Sequence, residues 1–222
     1  MAAAPLLLSL KLALFTTLLL LLAGLPLAWW LSVKKSYWKI IAEVFITMPL
    51  VLPPSVLGFY LLLAFSPKNA FGIWLQHTFN LRLVFSFEGL VVASVIYSLP
   101  FMVGPIKNAL GHLPNSLMQA SYTLGKSKWE TFFRIQLPCI RGSIISACVL
   151  TFAHTLGEFG VVLMIGGNIP NETRVSAIAI YDAVESMKYA EAHLHAALLL
   201  AVTFVLVLLV HIFNKKSEKN VL

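Results

Sequence analysis

The sequence predicts an all-α integral membrane protein of about five transmembrane helices with a helical loop on its cytoplasmic side. Three observations carry that prediction. Of 222 residues, 59% are hydrophobic and 11% charged, where a soluble domain carries about a quarter charged residues. Long uncharged runs recur along the chain, and a hydrocarbon core of about 30 Å takes roughly 20 helical residues to cross. The one long polar stretch between runs carries helix start and stop signals. The net charge of +7 is scattered between the apolar runs and forms no stripe. That argues against a nucleic-acid partner and for a lipid bilayer. The length fits one domain, set at residues 6–213, with 214–222 as a short cytoplasmic tail.

The first run, residues 12–33, has no charged residue. We read it as a span and not a signal peptide: only Lys11 precedes it as a basic residue, it exceeds a signal core in length, and no A-x-A site follows. The second run, 44–67, is also uncharged but is interrupted by Pro49, Pro53 and Pro54. Each proline removes a backbone donor and obstructs the preceding turn. In lipid such a break survives only where protein or a water-filled cavity covers it. Pro53, Pro54 and the adjacent Ser55 are therefore either a structural kink or the lining of a pathway. The third run is 89–106. The fourth, 142–165, holds His154, Thr155 and one carboxylate, Glu158. The fifth is 194–213, with histidines near its ends.

Glu158 is the costly residue, since a carboxylate in mid-membrane costs about 2.5–3.5 kcal/mol on insertion scales. It is expected to face the bundle interior, either as a gate or pathway residue or as a structural hydrogen-bond acceptor. Thr155 is grouped with it as a pathway candidate.

Basic residues set the orientation. With five spans, Lys34, Lys35, Lys39, Lys107, Lys126, Lys128, Arg134, Arg141, Lys215, Lys216 and Lys219 fall on one side, and Lys11, Lys68, Arg82, Arg174 and Lys188 on the other. The richer side is cytoplasmic. The N-terminus is then outside and the C-terminus inside. Trp29, Trp30 and Trp38 fall at the cytoplasmic edge, as interface aromatics do.

The cytoplasmic stretch 108–141 reads as two short helices joined by a glycine. Pro114 with Asn115 or Ser116 suits a helix start. Leu117, Ala120 and Leu124 recur on one face. Gly125 fits the left-handed residue past a helix end. Ser127 and Glu130 form a capping box. Trp129, Phe132, Phe133 and Ile135 give the second helix its apolar side, and Leu137-Pro138 is expected to stop it. Gly125-Lys126-Ser127 imitates the end of a phosphate loop, but the first glycine of that motif is replaced by Ala120, and a helix precedes it where a strand is required. The chain is therefore not expected to hydrolyse ATP or to bind a cofactor itself.

Gln119-Ala120-Ser121, Gly125 and Ile135-Gln136-Leu137-Pro138 resemble the cytoplasmic signature of ABC importer permeases: E-A-A, three residues, G, nine residues, I-x-L-P. The spacing matches fully. Gln119 and Ser121 depart from the pattern, and Gln119 lacks a charge that could pair with a basic group on an ATPase. Residues 154–160 (HTLGEFG) and 167–174 (GNIPNETR) are similar to those of molybdate permeases. Sulfate permeases share the GEFG element and parts of the following loop.

The resemblance covers nearly the whole chain. It implies a type I ABC importer permease in a bacterial or archaeal plasma membrane. The implied partners are two ATPase subunits docked on Gln119, Ala120, Ser121, Gly125, Ile135, Leu137 and Pro138, a second copy of the chain, and an external oxyanion-binding protein. That protein would meet the loop holding Asn168, Pro170, Glu172 and Arg174. The implied cargo is molybdate, with tungstate and sulfate as alternatives of the same class, and ATP is used by the partner.

A secondary transporter or a membrane enzyme is the alternative of another class. The first usually shows internal repeats and several intramembrane ionisable groups. Here no clear repeat is visible and only Glu158 lies deep in a span. The second needs a convergent catalytic set, and none is visible. His193 and His195, two apart, do not share a helix face, so no metal site is expected. Cys139 and Cys148 would sit about 13 Å apart on one helix, too far for a disulfide. The sequon Asn171-Glu172-Thr173 more simply marks an outer loop.

Overall fold

The computed structural model describes residues 3–33 and 36–218. Lys34, Lys35 and Lys219 of the basic count lie outside the described residues. Among those described, the regular structure is helical throughout. The first run forms α1 (Ala3–Ser32). The second is two helices, α2 (Tyr37–Val51) and α3 (Pro54–Phe65), with axes 115° apart. The expected single kinked span is thus broken. Leu52 and Pro53 each precede a proline, which pushes a residue out of the helical region, and both are extended, at ψ 136° and 133°. Pro54 then opens α3 at a position where its missing N–H costs nothing.

After the short α4 (Ala70–Phe79) comes α5 (Phe87–Gly111), started by Ser86, whose hydroxyl accepts from the Gly89 amide at 3.1 Å. This is the central helix, packed against α1, α2 and the later spans. The loop between the third and fourth runs follows as α6 (Asn115–Thr123) and α7 (Lys128–Thr131). A π-helical turn (Phe132–Gln136) and one short turn, α8 (Leu137–Cys139), lead on to α9 (Arg141–Leu156).

Leu137-Pro138 therefore does not stop the helix. Proline clashes with the carbonyl four residues back, and the wider π turn immediately before it relieves that clash. The change of direction, 73°, comes at Ile140.

The fourth run is broken as well. α9 ends at Leu156, and α10 (Gly160–Gly166) begins after Gly157, Glu158 and Phe159. Then come α11 (Ser176–Glu185) and α12 (Tyr189–Glu218), so α12 continues through much of the stretch set aside as a tail. By length and composition, three described helices can cross a membrane, or five if each bent pair is one span.

Packing joins the pieces through three apolar clusters. Leu20, Ala28, Met102, Ile106, Phe132 and Ala147 fill the half nearest the loop. Leu57, Ala93, Val161 and Ile165 join α3, α5 and α10. Leu12, Leu90, Val162, Val175 and Ile178 join α1 to α10 and α11. Large apolar side chains on α1, α2 and α12 face outward, among them Leu22, Phe45 and Leu200. A bilayer would cover that surface. Trp30 and Trp38 are exposed on that surface, whereas Trp29 turns inward onto the loop.

Candidate functional site: crossed helix breaks and a helical loop

The two broken elements meet. A Cβ built on Gly160 would lie 2.6 Å from Pro54 Cβ, so the break before α10 presses against the start of α3 at a point only glycine can occupy. Beside this contact opens a cavity of about 610 Å³ bordered by Pro54, Ser55, Tyr97, His154, Glu158 and Gly160. Three of the five pathway candidates, Pro54, Ser55 and Glu158, thus share one wall. Pro53 is the residue just before α3, and Thr155 is buried behind the wall.

Glu158, in the break between α9 and α10, faces the bundle interior, 5% exposed. Its partner was not foreseen. Oε2 accepts from the Ser94 hydroxyl of α5 at 3.2 Å, and Oε1 has no hydrogen-bond partner in the protein. A side-chain hydroxyl, and not a backbone amide freed at the Pro53-Pro54 break, holds the carboxylate.

One turn along α5, Ser98 lies 3.0 Å from both His154 Nδ1 and Thr155 Oγ1, and Thr155 donates to the Thr151 carbonyl at 2.9 Å. A hydroxyl has one proton to give. All three contacts hold together only if Ser98 donates to Thr155 and His154 Nδ1 donates to Ser98. His154 is further fixed by stacking on Phe101, with centroids 3.9 Å apart. Ser94 and Ser98 were missed in the sequence. Their signal was the spacing of four, which puts two hydroxyls on one helix face in an otherwise uncharged run. With Nδ1 donating to Ser98, the imidazole does not act as a base toward that hydroxyl, and no group of three or more His, Cys, Asp or Glu able to hold a metal is present among the described residues. It is a polar seam where the two helix breaks meet.

The helical loop is built as its residues dictate. Gly125 has φ +75°, Lys126 N–H donates to the Ser121 carbonyl at 3.1 Å and Gly125 N–H to Tyr122 at 2.9 Å. This pair of bonds is the Schellman motif. The Ser127 hydroxyl accepts from the Glu130 amide at 3.2 Å, completing the predicted cap. Ser121, one of the two departures from the family pattern, is buried and bonded to Thr131 Oγ1 at 2.8 Å, which ties α6 to α7. Gln119 and Ala120 are exposed on α6, Ile135 and Leu137 are half-buried, and Pro138 is exposed.

The apolar face of α6 points outward: Leu117 is 40% and Leu124 79% exposed. On the second helix Phe132 is buried, while Trp129 and Phe133 are exposed. An uncovered apolar ridge on a rigid helical turn suits a protein groove. Lys126, at 3.0 Å, holds the Glu130 carboxyl below the usual carboxylate range, and Arg134, at 3.4 Å, adds to the effect. Further in, Lys107 of α5 pairs with Glu43 of α2 beside a cavity of about 670 Å³.

On the opposite side, Asn168 and Arg174 are turned inward. Arg174 Nε donates to Asn168 Oδ1 at 2.6 Å, and Asn168 Nδ2 to Asp182 Oδ1 at 2.9 Å. Thr173 Oγ1 donates to the Gly166 carbonyl at 2.7 Å. These bonds stiffen the loop and leave Pro170, Asn171 and Glu172 exposed at its tip. Asp182, which fixes Asn168, was not singled out in the sequence.

The comparisons with known proteins agree on one family. Residues 21–221 match the family described as binding-protein-dependent transport system inner membrane component. The chain is 50% identical over 186 residues to the molybdenum transport system permease protein ModB of Azotobacter vinelandii, covering 84% of this chain and 82% of that one. It is 38% identical over 180 residues to the protein of the same name from Escherichia coli K12, covering 81% and 79%. In fold it is similar to a bacterial ABC transporter involved in the import of the acidic polysaccharide alginate, with a TM-score of 0.75 at 18% identity over 95% of this chain and 79% of that one.

Proposed function

Because the chain belongs to the family of binding-protein-dependent transport system inner membrane components, we propose that it is the permease of an ATP-driven importer of molybdate. The likeness to molybdenum permeases along most of its length supports that cargo. Tungstate and sulfate, also tetrahedral dianions, are the alternatives within the class.

The chain supplies a path and a lever, and the ATPase is a separate subunit. Two copies of the permease pair around the path. Two ATPase subunits seat on the ridge of α6 and the turn at Gly125. An external binding protein delivers the oxyanion to the tip at Pro170 and Glu172. The N-terminus is outside and the C-terminus cytoplasmic, in keeping with the basic residues on the loop. ATP binding rocks the two permeases, and the seam between Pro54, Ser94 and Glu158 opens and closes. Glu158 is a gate residue and no ligand of the cargo, since like charges repel.

The test is uptake of radiolabelled molybdate, tungstate and sulfate into vesicles holding the chain with its ATPase and binding protein. ATP-dependent entry of molybdate in preference to sulfate is expected, and entry of sulfate alone would refute the cargo. In a background lacking Cys139 and Cys148, an impermeant thiol reagent should label Glu172→Cys in intact cells and leave Lys126→Cys unlabelled. The reverse pattern would refute the orientation.

A further inference from the structure

We propose that Gln136 is a positioning residue that carries movement of the docking loop into α1, through a joint of two hydrogen bonds on one amide. The side chain is buried, 7% exposed, and both of its ends are used. Oε1 accepts from the Trp29 indole N–H at 3.2 Å, and Nε2 donates to Met118 Sδ at 3.0 Å. Three elements therefore meet on one group: the cytoplasmic end of α1, the middle of α6 and the π turn that carries Gln136.

Around this joint the contacts are aromatic. The Trp29 ring lies 5.0 Å from Trp129 and 5.2 Å from Phe132, centroid to centroid. Apolar faces hold elements together but let them slide, because the force is non-directional. A buried hydrogen bond fixes direction, and one left unmade in the interior is costly. The amide is what makes loop and helix turn as one piece. The π turn is the device that aims it, and such turns collect at functional positions.

The far end of α1 is tied as firmly. Ser9 Oγ accepts from the Ser176 amide at the start of α11 at 2.8 Å. From Ser9 to Trp29 the helix runs about 30 Å at 1.5 Å per residue, roughly the thickness of the hydrocarbon core. α1 is thus a rod pinned at one end to the loop, through Gln136, and at the other to the helix that follows the outer loop. This inference rests on the reading of the loop as the ATPase dock.

The experiment uses the complete reconstituted complex and measures radiolabelled molybdate taken up per ATP hydrolysed, or sulfate where the wild type carries that instead. Gln136→Met keeps the bulk and removes both bonds. Trp29→Phe keeps an aromatic ring and removes the indole donor. Each variant should still retain the ATPase subunit on purification, while uptake per ATP falls about fivefold or more, the lower end of ordinary coupling between sites. The double variant should be no worse than the more damaging single one, because both break the same bond. A wild-type ratio in both single variants, or losses that multiply in the double, would overturn the proposal. A wild-type complex that does not retain the ATPase would instead overturn the docking reading beneath it.

Discussion

The Ser94 hydroxyl reaches Glu158 Oε2 at 3.2 Å across the place where the two broken helices meet. A buried carboxylate with one donor is held by that donor, and replacing either partner should loosen the seam. Glu158→Ala is expected to leave membrane insertion and ATPase retention intact and to lower uptake. Glu158→Gln should be milder, since an amide still offers Ser94 an acceptor, and Ser94→Ala should resemble Glu158→Ala in direction. Uptake in vesicles checks all three, and full uptake by Glu158→Ala would remove this residue from the gate.

Gly160 and Pro54 set how closely the two breaks approach. The proline ring cannot rotate away from a Cβ placed 2.6 Å from it. Gly160→Ala must push α10 off α3, at the roughly 1–3 kcal/mol typical of overpacking. Lower thermal stability in detergent together with reduced uptake is the expected outcome. Unchanged values in both would show that the contact is soft.

Much of this arrangement was legible in the sequence, and what was not has identifiable causes. The loop was readable because its signals are local: Pro114, Gly125, Ser127 and Glu130 act on neighbours within a few residues. The double proline at 53–54 announced a break, but not its size, since the 115° turn depends on α3 packing against α10. The break at Gly157–Phe159 was masked by an apolar run that reads as one span. Ser94 and Asp182 are partners across 64 and 14 residues, and a single sequence does not encode which distant group a hydroxyl or carboxylate will meet. Pro138 misled because its effect is absorbed by the π turn before it, which no local pattern announced.

Gly125 is constrained by conformation and not by space. Its φ is +75°, and a Cβ there would meet nothing within 4 Å. Gly125→Val therefore places a β-branched residue where the left-handed region is strained by about 1–2 kcal/mol or more. The turn is expected to re-aim α7, so that the ATPase subunit is lost or uncoupled while the permease still inserts. Gly125→Asn should be far milder, because Asn tolerates this conformation. Co-purification with the ATPase and transport-coupled hydrolysis are the measurements. Normal values in the Val variant would refute the strain argument.

Glu130 gives the loop a defined response to acid. Its carboxyl is held below the usual range by the Lys126 hydrogen bond first, with Arg134 adding. A carboxylate depressed in the folded state contributes stability that is fully present above its unfolded-state value and is lost as pH falls through the folded one. Around neutrality the loop should therefore be insensitive to pH, weakening only in acid, and modestly so because the pair is solvent-exposed. Carbon NMR of the labelled side chain should show a midpoint lower than that of free glutamate. Lys126→Met should move the midpoint upward, and an unshifted midpoint in the wild type would contradict the ion-pair assignment.

Ser9 caps a helix that begins 167 residues later. α11 opens at Ser176 without a side-chain cap of its own, and its first amide donates to Ser9 Oγ at 2.8 Å in a site where both residues are 1% exposed. The Ser9 hydroxyl in turn donates to the Pro5 carbonyl at 2.9 Å, so the oxygen is free to accept. Ser9→Ala removes that acceptor and leaves a buried amide unpaired, a cost of about 1–3 kcal/mol. Thermal unfolding in detergent should shift downward, and hydrogen exchange should quicken first at the amides of Ser176 and Ala177. Ser9→Thr, which keeps the hydroxyl, should preserve the slow exchange. Equal protection of those amides in Ser9→Ala and the wild type would show that another acceptor replaces Ser9 and that α1 does not hold α11 by this bond.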